Sequence, residues 1–291
     1  MPVKLFYDTR DDPLFEQRGM RNLYWLDDIG AVPFEEAAAD DEGFLFTGAR
    51  SIDDYRQLIA NHPRIRDRPV EREPLLTLDR VLKLLDQSGG SVPRPRTWTL
   101  RVETALPDDL VFPLFVRTAK SSWKLGGKVS KVETREELLE EAAALRRVFG
   151  WDETILCRQW LEIEKAGDSM YGPIPVEVRC WIIDELPFAW SFHHLHAAPH
   201  AKGFPLSESD LKLIQRTATS VGQCFRSRLV CADFVKLVNG QWVFLEAGPG
   251  SCAGTGHEQV FKAVALRLAG EASSAFLSTY GGTFTRVESI D

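Results

Sequence analysis

Apolar residues along this chain recur at helical spacing in some segments and at strand spacing in others. Helical spacing, together with capping residues, predicts five helices. These cover residues 53–60, 77–87, 134–149, 207–225 and 258–269. Thr77, Thr134 and Ser207 are the expected N-caps of three of them. Glu137 is expected to complete a capping box at the second of these caps.

Short apolar runs predict the strands. The clearest runs cover residues 3–7, 112–116, 154–161, 176–183 and 187–192. In the fourth run, alternation places Arg179 and Trp181 on the opposite face from the residues beside them. Residues 62–74 hold many charges and three prolines, which predicts a loop. The polar residues 281–291 predict a frayed tail.

The most informative feature is a hairpin signal. Asn239-Gly240 predicts a tight turn between an apolar run that carries Asp233 and a second run that ends in Glu246. Folding at this turn brings the two carboxylates onto adjacent strands, and a glycine-rich stretch follows. Mg²⁺ is typically held by a few carboxylates together with phosphate oxygens. The hairpin therefore indicates a magnesium site, and the alternative is an ordinary hairpin with one surface and one strand-end carboxylate.

Basic and glycine residues after the 112–116 strand form a second candidate group. They are Arg117, Lys124, Gly126, Gly127 and Lys128. The planar guanidinium of Arg117 would emerge at the rim of the sheet, where it suits bidentate contact with phosphate. Glycine N–H groups can approach phosphate oxygens closely. The alternative is a basic surface turn.

Two further charges lie on predicted strands. Arg179 on an apolar strand is costly unless it is paired or faces a cleft, so it indicates either a phosphate contact or a salt bridge with Glu177 or a neighbouring strand. Lys236 is a weaker catalytic candidate, because strict alternation puts it on the opposite face from Asp233. The alternative for Lys236 is a solvated lysine.

Four histidines follow the 187–192 strand. They are His193, His194, His196 and His200. Their spacing matches no zinc signature. They indicate either a solvated loop or a loop that contacts the substrate.

The order of these features resembles the order of parts in an ATP-grasp enzyme, over roughly residues 76–270. Four segments carry the resemblance before the hairpin completes it. They are the starting helix LTLDRVLKLLDQSGGSVPRPRT (76–97), the first nucleotide-binding strand and glycine-rich loop FPLFVRTAKSSWKLGGK (112–128), the adenine strand and hinge TILCRQWLEI (154–163) and the central strand VEVRCWIID (176–184). Arg117 stands where most members carry Lys, which points to the divergent clade marked by one Arg and two Lys.

The resemblance implies an α+β fold of the ATP-grasp type. Two α+β subdomains, residues 76–165 and 166–291, would clasp ATP, and a smaller N-terminal α/β domain, residues 1–75, would precede them. The hinge that holds adenine would consist of Gln159, Trp160 and Leu161. Gly248 stands where the family usually has an Asn two residues after the metal Glu, so the metal is expected to have fewer protein ligands here.

The implied function is an ATP- and Mg²⁺-dependent ligase. It would join a carboxylate to an amine or similar nucleophile through an acylphosphate, with ADP as the expected product and a small molecule, peptide or protein as acceptor. Asp233 and Glu246 would hold the metal, Arg179 and Lys236 are the catalytic candidates, and Arg117 would contact phosphate. Two alternatives are a nucleotide-binding assembly factor without turnover and a phosphoryl or nucleotidyl transferase acting on a macromolecule.

Composition narrows the setting. The net charge of −7 argues against a non-specific nucleic-acid binder, which needs a basic face. The chain has no apolar run of the roughly 18 residues that a membrane helix needs, and its N-terminus lacks the features of a secretory signal. Five scattered cysteines predict reduced thiols in a cytoplasmic protein. Residues 1–75 and 193–200 are expected to form the acceptor side of the cleft, and the residues fix neither the acceptor nor an oligomeric state.

Overall fold

The computed structural model describes residues 3–11, 22–49, 51–89, 91–102, 105–120, 130–169, 172–193, 206–254, 257–271, 278 and 280–284. Within these ranges the chain forms four β-sheets and seven α-helices. One multi-stranded sheet falls in each of the three predicted domains. The exact domain bounds stay a prediction.

The N-terminal part forms a parallel sheet with strand order β2-β1-β3-β4. The strands are β1 Lys4–Tyr7, β2 Val32–Pro33, β3 Gly43–Phe46 and β4 Ile65–Arg66, and the helices are α1 Asn22–Asp27, α2 Ile52–Leu58 and α3 Pro69–Arg72. Phe6 and Leu45 are buried in a core with α2. Phe44 and Phe46 point the other way and pack against the C-terminal part of the chain. The sheet therefore has an apolar contact on each face.

The prediction of a loop over residues 62–74 is wrong, because tertiary burial outweighs the local proline and charge signals. This segment contains β4 and α3, and Ile65 is buried in the N-terminal core. Arg72 is completely buried. Its guanidinium lies 4.5 Å from the centroid of the Tyr55 ring and donates a hydrogen bond of 3.2 Å to the carbonyl of Thr47. The segment is thus part of the core rather than a linker.

Asp67 is a buried acid between the N-terminal sheet and the C-terminal part. Ser227 donates a hydrogen bond of 2.6 Å to its carboxylate, and an Arg72 nitrogen lies 3.7 Å away. Burial outweighs the attraction of Arg72 and raises the pKa of Asp67 from 3.8 to about 6. As pH rises from about 4 to about 6, the unfolded chain loses this proton first, so the free energy of unfolding should fall.

We therefore expect Asp67→Asn to change the pH dependence of stability. The shift in pKa corresponds to about 3 kcal/mol, so the stability of the natural protein relative to the variant should fall by about that amount between pH 4 and pH 7. Urea unfolding of both proteins at the two pH values measures this difference. Identical pH dependence in both proteins would show that Asp67 titrates normally in the fold.

The middle part forms an antiparallel sheet with strand order β5-β8-β6-β7 and one long helix. The elements are β5 Thr97–Leu100, β6 Leu114–Thr118, β7 Lys131–Val132, α5 Arg135–Phe149 and β8 Ile155–Gln159. Alternate strand residues, among them Val116 and Cys157, pack on α5. The intervening residues, among them Arg117 and Arg158, point to the opposite face of the sheet.

The capping predictions differ in outcome. Thr134 accepts from the N–H of Glu137 at 3.2 Å, but the Glu137 carboxylate accepts from the N–H of Glu133, so the predicted box is incomplete. Thr77 stands at the N-cap position without a capping bond. The carbonyl of Ala119 instead accepts from the N–H of Leu78 at 2.8 Å, so a neighbouring segment satisfies the helix start.

The C-terminal part is built on a five-stranded antiparallel sheet with order β14-β13-β11-β12-β15. Its strands are β11 Glu177–Ile183, β12 Leu186–Phe192, β13 Leu229–Lys236, β14 Trp242–Pro249 and β15 Gly281–Thr283, and a separate hairpin consists of β9 Lys165–Ser169 and β10 Gly172–Pro175. The helices are α4 Leu78–Gln87, α6 Glu208–Gly222 and α7 Glu258–Ala269. Ser207 caps α6, as predicted, by accepting from the N–H of Asp210 at 3.1 Å.

The two faces of this sheet pack against different elements, as the alternation in residues 176–183 predicts. Val178 and Cys180 lie in a core with α4 and α6. Trp181 and Ile183 lie in a second core with α7 and the N-terminal sheet. The central sheet thus organises the whole C-terminal half.

The prediction of a polar tail over residues 281–291 is wrong at its beginning. Gly281–Thr283 forms β15, which pairs with β12 and is buried. A Cβ at Gly281 would lie 2.9 Å from the carbonyl oxygen of Trp190, so only glycine fits this approach. Residues 285–291 lie outside the described part of the chain.

Two smaller expectations can be checked here. All five cysteines are free, and Cys157, Cys180 and Cys231 are buried, which confirms the prediction of reduced thiols. In the described ranges, no helix has both the length and the apolar character needed to cross a membrane.

Candidate functional site

Charged side chains form a row across one face of the five-stranded sheet. Asp233 on β13 lies directly opposite Glu246 on β14 and opposite Arg179 on β11. Glu177 is two residues before Arg179, and its carbonyl accepts a bond of 3.0 Å from the N–H of His193, which follows β12. Adjacent strands are about 4.8 Å apart, so the row extends over three strand spacings.

The other half of this face is apolar. Trp181, Leu229 and Cys231 are buried there against α7 and the N-terminal sheet. The polar row therefore begins where this packing ends. Such a division leaves the charged half of the sheet facing the middle part of the chain.

Arg179 and Asp233 form a buried bidentate ion pair. Nε and Nη2 of Arg179 donate to the two carboxylate oxygens at 2.9 and 2.8 Å, and Nη1 donates to the carbonyl of Gly254 at 2.7 Å. Burial opposes the charge on Arg179, but the adjacent Asp233 carboxylate outweighs it and raises the pKa of Arg179 well above its usual range. Of the two interpretations of Arg179, the structure thus shows a salt bridge to a neighbouring strand.

Arg117 connects the middle sheet to the C-terminal sheet. Its Nη1 forms an ion pair with the Glu246 carboxylate, and its Nε donates to the carbonyl of Thr118 at 3.3 Å. Burial opposes ionisation of Glu246, yet the Arg117 guanidinium holds the pKa of that carboxyl below its usual value. Two residues 129 positions apart therefore meet between the two subdomains.

Arg158 lies on the same face of the middle sheet as Arg117 and is only 3% exposed. Its Nε donates to Thr97 Oγ1 at 3.4 Å, and its Nη2 has no hydrogen-bond partner among the described residues. Burial and the neighbouring Arg117 lower the pKa of Arg158 to about 9, so the guanidinium is still charged at neutral pH.

The structure thus brings together four predicted site residues. They are Arg117, Arg179, Asp233 and Glu246. It does not bring Lys236 to them, because that side chain extends from the opposite face, where its Nζ lies 3.1 Å from Asp210. Lys124, Gly126, Gly127 and Lys128 lie outside the described residues.

The predicted adenine hinge leaves the middle sheet at the end of β8. The N–H of Gln159 donates to the carbonyl of Arg96 at 2.8 Å, and the N–H of Trp160 donates to that of Pro113 at 3.2 Å. Neither group is therefore open to a purine. Leu161 follows directly, and its N–H has no partner within the described ranges.

One trio resembles a metal-ligand set. Donor atoms of Glu177, His193 and Asp233 lie within 4.8 Å of one another. Arg179, however, already supplies positive charge to both oxygens of Asp233, so we assign no metal to this trio. His194, His196 and His200 lie outside the described part of the chain.

Sequence reasoning missed three contributions to this site. Arg158 received no role of its own, although it is a single charge in the apolar run ILCRQ, the same signal that singled out Arg179. The carbonyl of Gly254 and the proximity of His193 to Asp233 leave no mark in the sequence, since both depend on tertiary placement.

A separate groove of about 570 Å³ lies between α3 and the turn that joins β11 to β12. It is lined by five arginines and five carboxylates, so its charges are balanced and favour neither anions nor cations. None of the site residues above lines it. The chemistry of the chain therefore concentrates at the junction of the two sheets rather than in this groove.

Comparison with known families decides the fold. A sequence model of an ATP-grasp domain, family 3 of the clade marked by one Arg and two Lys, matches residues 77–268, which is more than half of the chain. The chain belongs to this ATP-grasp family. Its membership confirms the ATP-grasp fold that the order of motifs implies, and ATP-grasp proteins are ATP-dependent ligases.

Solved structures show the same fold for this ATP-grasp chain. D-alanine–D-alanine ligase from Bacillus anthracis complexed with ATP aligns with a TM-score of 0.60 and 15% identity, over 92% of this chain and 97% of that chain. The ligase from Coxiella burnetii aligns with a TM-score of 0.52 and 18% identity, over 71% of this chain and 58% of that chain. At these identities the likeness concerns the fold alone. Comparison with curated protein sequences gives no match.

Proposed function

We propose that this ATP-grasp protein is an ATP- and Mg²⁺-dependent ligase that joins a carboxylate to an amine or similar nucleophile, with ADP as product. The observation that supports this most is the meeting of Asp233 and Glu246 with Arg117 at the junction of the two sheets. Paired carboxylates beside a guanidinium suit a metal–triphosphate, which presents both cationic and anionic groups.

The donor set fits Mg²⁺ bound together with a nucleotide. Asp233 and Glu246 offer hard oxygen ligands on adjacent strands, and Mg²⁺ takes its other ligands from phosphates and water. Arg117 would exchange Glu246 for a phosphate oxygen, which frees the carboxylate for the metal. Bound Mg·ATP would supply the transferable phosphoryl group and neutralise its charge.

The proposed reaction activates a substrate carboxylate. Its oxygen would form a bond to the terminal phosphorus as the bond to the ADP oxygen breaks, and the amine would then displace phosphate from the acyl carbon. Arg117 and Arg179 would offset the negative charge that moves during transfer. Lys124 and the glycines of its loop remain candidates for further phosphate contacts, whereas the position of Lys236 gives no support to a catalytic role.

We place the acceptor at the β12 end of the charged row, beside Glu177 and His193. The metal end of the row is at β14, so the other end is where the second substrate has room. Residues 249–254 connect this region to the N-terminal domain, since the N–H of Thr47 donates to the carbonyl of Ser251 at 3.2 Å and Arg72 bonds its hydroxyl. This contact supports the proposal that residues 1–75 form part of the acceptor wall.

Gly248 offers a direct test of the metal assignment. It follows Glu246 by two residues on β14, and the nearest atom to an added Cβ would be the carbonyl oxygen of Leu75 at 3.9 Å. A side chain therefore fits and would lie on the metal face. We expect Gly248→Asn to lower the Mg²⁺ concentration needed for half-maximal ATP binding about threefold to tenfold, the scale of one added polar contact of about 1 kcal/mol.

Gly248→Ala is the matched control, because it fills the same space without adding an oxygen ligand. Titration of ATP binding with Mg²⁺ for both variants separates the two effects. Equal Mg²⁺ requirements in the two variants would contradict a metal at Asp233 and Glu246.

A second candidate function is a nucleotide-binding assembly factor without turnover. The bidentate Arg179 pair occupies both oxygens of Asp233, and Gly248 adds no ligand, which are the observations that favour it. Incubation with labelled ATP, Mg²⁺ and fractionated metabolites distinguishes the candidates. ADP that appears only with an active fraction supports the ligase, AMP supports nucleotidyl transfer, and tight binding without either product supports the binding factor.

A further inference from the structure

The buried charges at the junction of the two sheets do not balance. Two ion pairs account for Arg179 with Asp233 and for Arg117 with Glu246. Arg158 is left as a third buried guanidinium with no carboxylate of its own among the described residues. Burial of an unpaired cation is unfavourable, so a fold does not keep one without a compensating role.

The surroundings of Arg158 make this imbalance larger. It pairs in register with Phe115, so Arg117 is its diagonal neighbour on the same face of the sheet. Arg94 is a second nearby cation, and it already contacts Asp86. Glu246 is the one carboxylate that acts on Arg158 among the described residues, and it is the partner of Arg117.

Packing does not explain the residue either. The contact of Arg158 with a side chain is a long hydrogen bond of 3.4 Å from Nε to Thr97, while Nη2 is enclosed and without a partner in the described ranges. An apolar side chain of similar length would fill the same space without the desolvation cost. The donors of Arg158 therefore await an acceptor that carries negative charge.

We propose that Arg158 is a phosphate-binding residue that acts with Arg117 on one phosphate group of the bound nucleoside triphosphate. This inference rests on the proposed ATP site. Two adjacent guanidiniums present several N–H donors to one dianionic group, and charge-assisted bonds of this kind are the stronger hydrogen bonds in proteins. The position of Arg158, directly before the proposed adenine hinge, places this phosphate on the strand that leads to the base.

The test compares Arg158→Met with the natural protein and with the control Arg147→Met, which removes an exposed arginine of α5. Calorimetry measures binding of ATP, adenosine and inorganic tripolyphosphate, and urea unfolding measures stability. For Arg158→Met we expect affinity for ATP and tripolyphosphate to fall about ten- to a hundredfold, with adenosine unchanged. Stability should be equal to or higher than that of the natural protein, and Arg158→Lys should recover part of the affinity.

Three results would overturn the inference. They are unchanged tripolyphosphate affinity, an equal loss for adenosine, which would place Arg158 on the base, and a lower unfolding midpoint, which would make it a structural cation. If the natural protein binds neither ATP nor tripolyphosphate, the proposed function fails together with this inference. If it binds both and Arg158→Met binds them equally well, only the role of Arg158 is wrong.

Discussion

Glu246→Gln should lower ATP turnover by at least about a hundredfold while the protein stays folded. The change keeps the size of the side chain and an oxygen that can accept from Arg117, but it removes the charge that Mg²⁺ requires. A loss of about 3 kcal/mol in transition-state stabilisation corresponds to this factor. Steady-state ADP release, measured with the active metabolite fraction, gives the ratio, and Glu140→Gln on the exposed face of α5 is the control.

Asp233→Asn should abolish turnover as well, but at a cost to the fold. Asp233 is buried in the bidentate pair with Arg179, and breaking such a pair by removing one partner destabilises a protein by about 3–5 kcal/mol. Urea unfolding should therefore separate the two variants, with Glu246→Gln close to the natural protein and Asp233→Asn well below it. Full activity in both variants would end the metal assignment.

Arg117→Ala should weaken the binding of ATP about ten- to a hundredfold and leave adenosine almost unchanged. Arg117 reaches from β6 to the carboxylate row, and its expected partner in the complex is a phosphate rather than the base. A charge-assisted contact contributes roughly 1.5–3 kcal/mol, which sets the factor. Calorimetry with ATP and adenosine measures both affinities, with Arg147→Ala as the control.

The same comparison applies to Lys124→Ala, which removes the other predicted phosphate contact. Equal losses for ATP and adenosine in either variant would show that the residue acts through folding. A loss confined to ATP in Arg117→Ala alone would limit the phosphate site to the strand and exclude the loop.

The hairpin could be read from the sequence because its register is local. A two-residue turn at Asn239-Gly240 fixes which residues lie opposite each other, and Asp233 indeed pairs with Glu246. The alternation on β11 likewise separated Arg179 from the core formed with α4 and α6. These features depend on neighbours in the chain, where sequence patterns are informative.

The partners of these residues could not be read in the same way. Arg179 meets Asp233 across 54 positions, and Arg117 meets Glu246 across 129, so only the folded sheets bring them together. Proline and charge in residues 62–74 indicated a loop, yet burial of Arg72 and Asp67 makes the segment part of the core. Local signals fail there because distant segments, including Ser227 and Ser251, provide the hydrogen-bond partners.

The central claim is that Asp233 and Glu246 hold Mg²⁺ between the phosphates of ATP, and it can be tested without knowledge of the acceptor. Calorimetry should measure the affinity for ATP with Mg²⁺ and with a chelator, in the natural protein and in Glu246→Gln. The account predicts that Mg²⁺ strengthens ATP binding in the natural protein and that this gain disappears in the variant, whose metal-free affinity is equal or higher because a repelling carboxylate is gone. The same gain from Mg²⁺ in both proteins would contradict it.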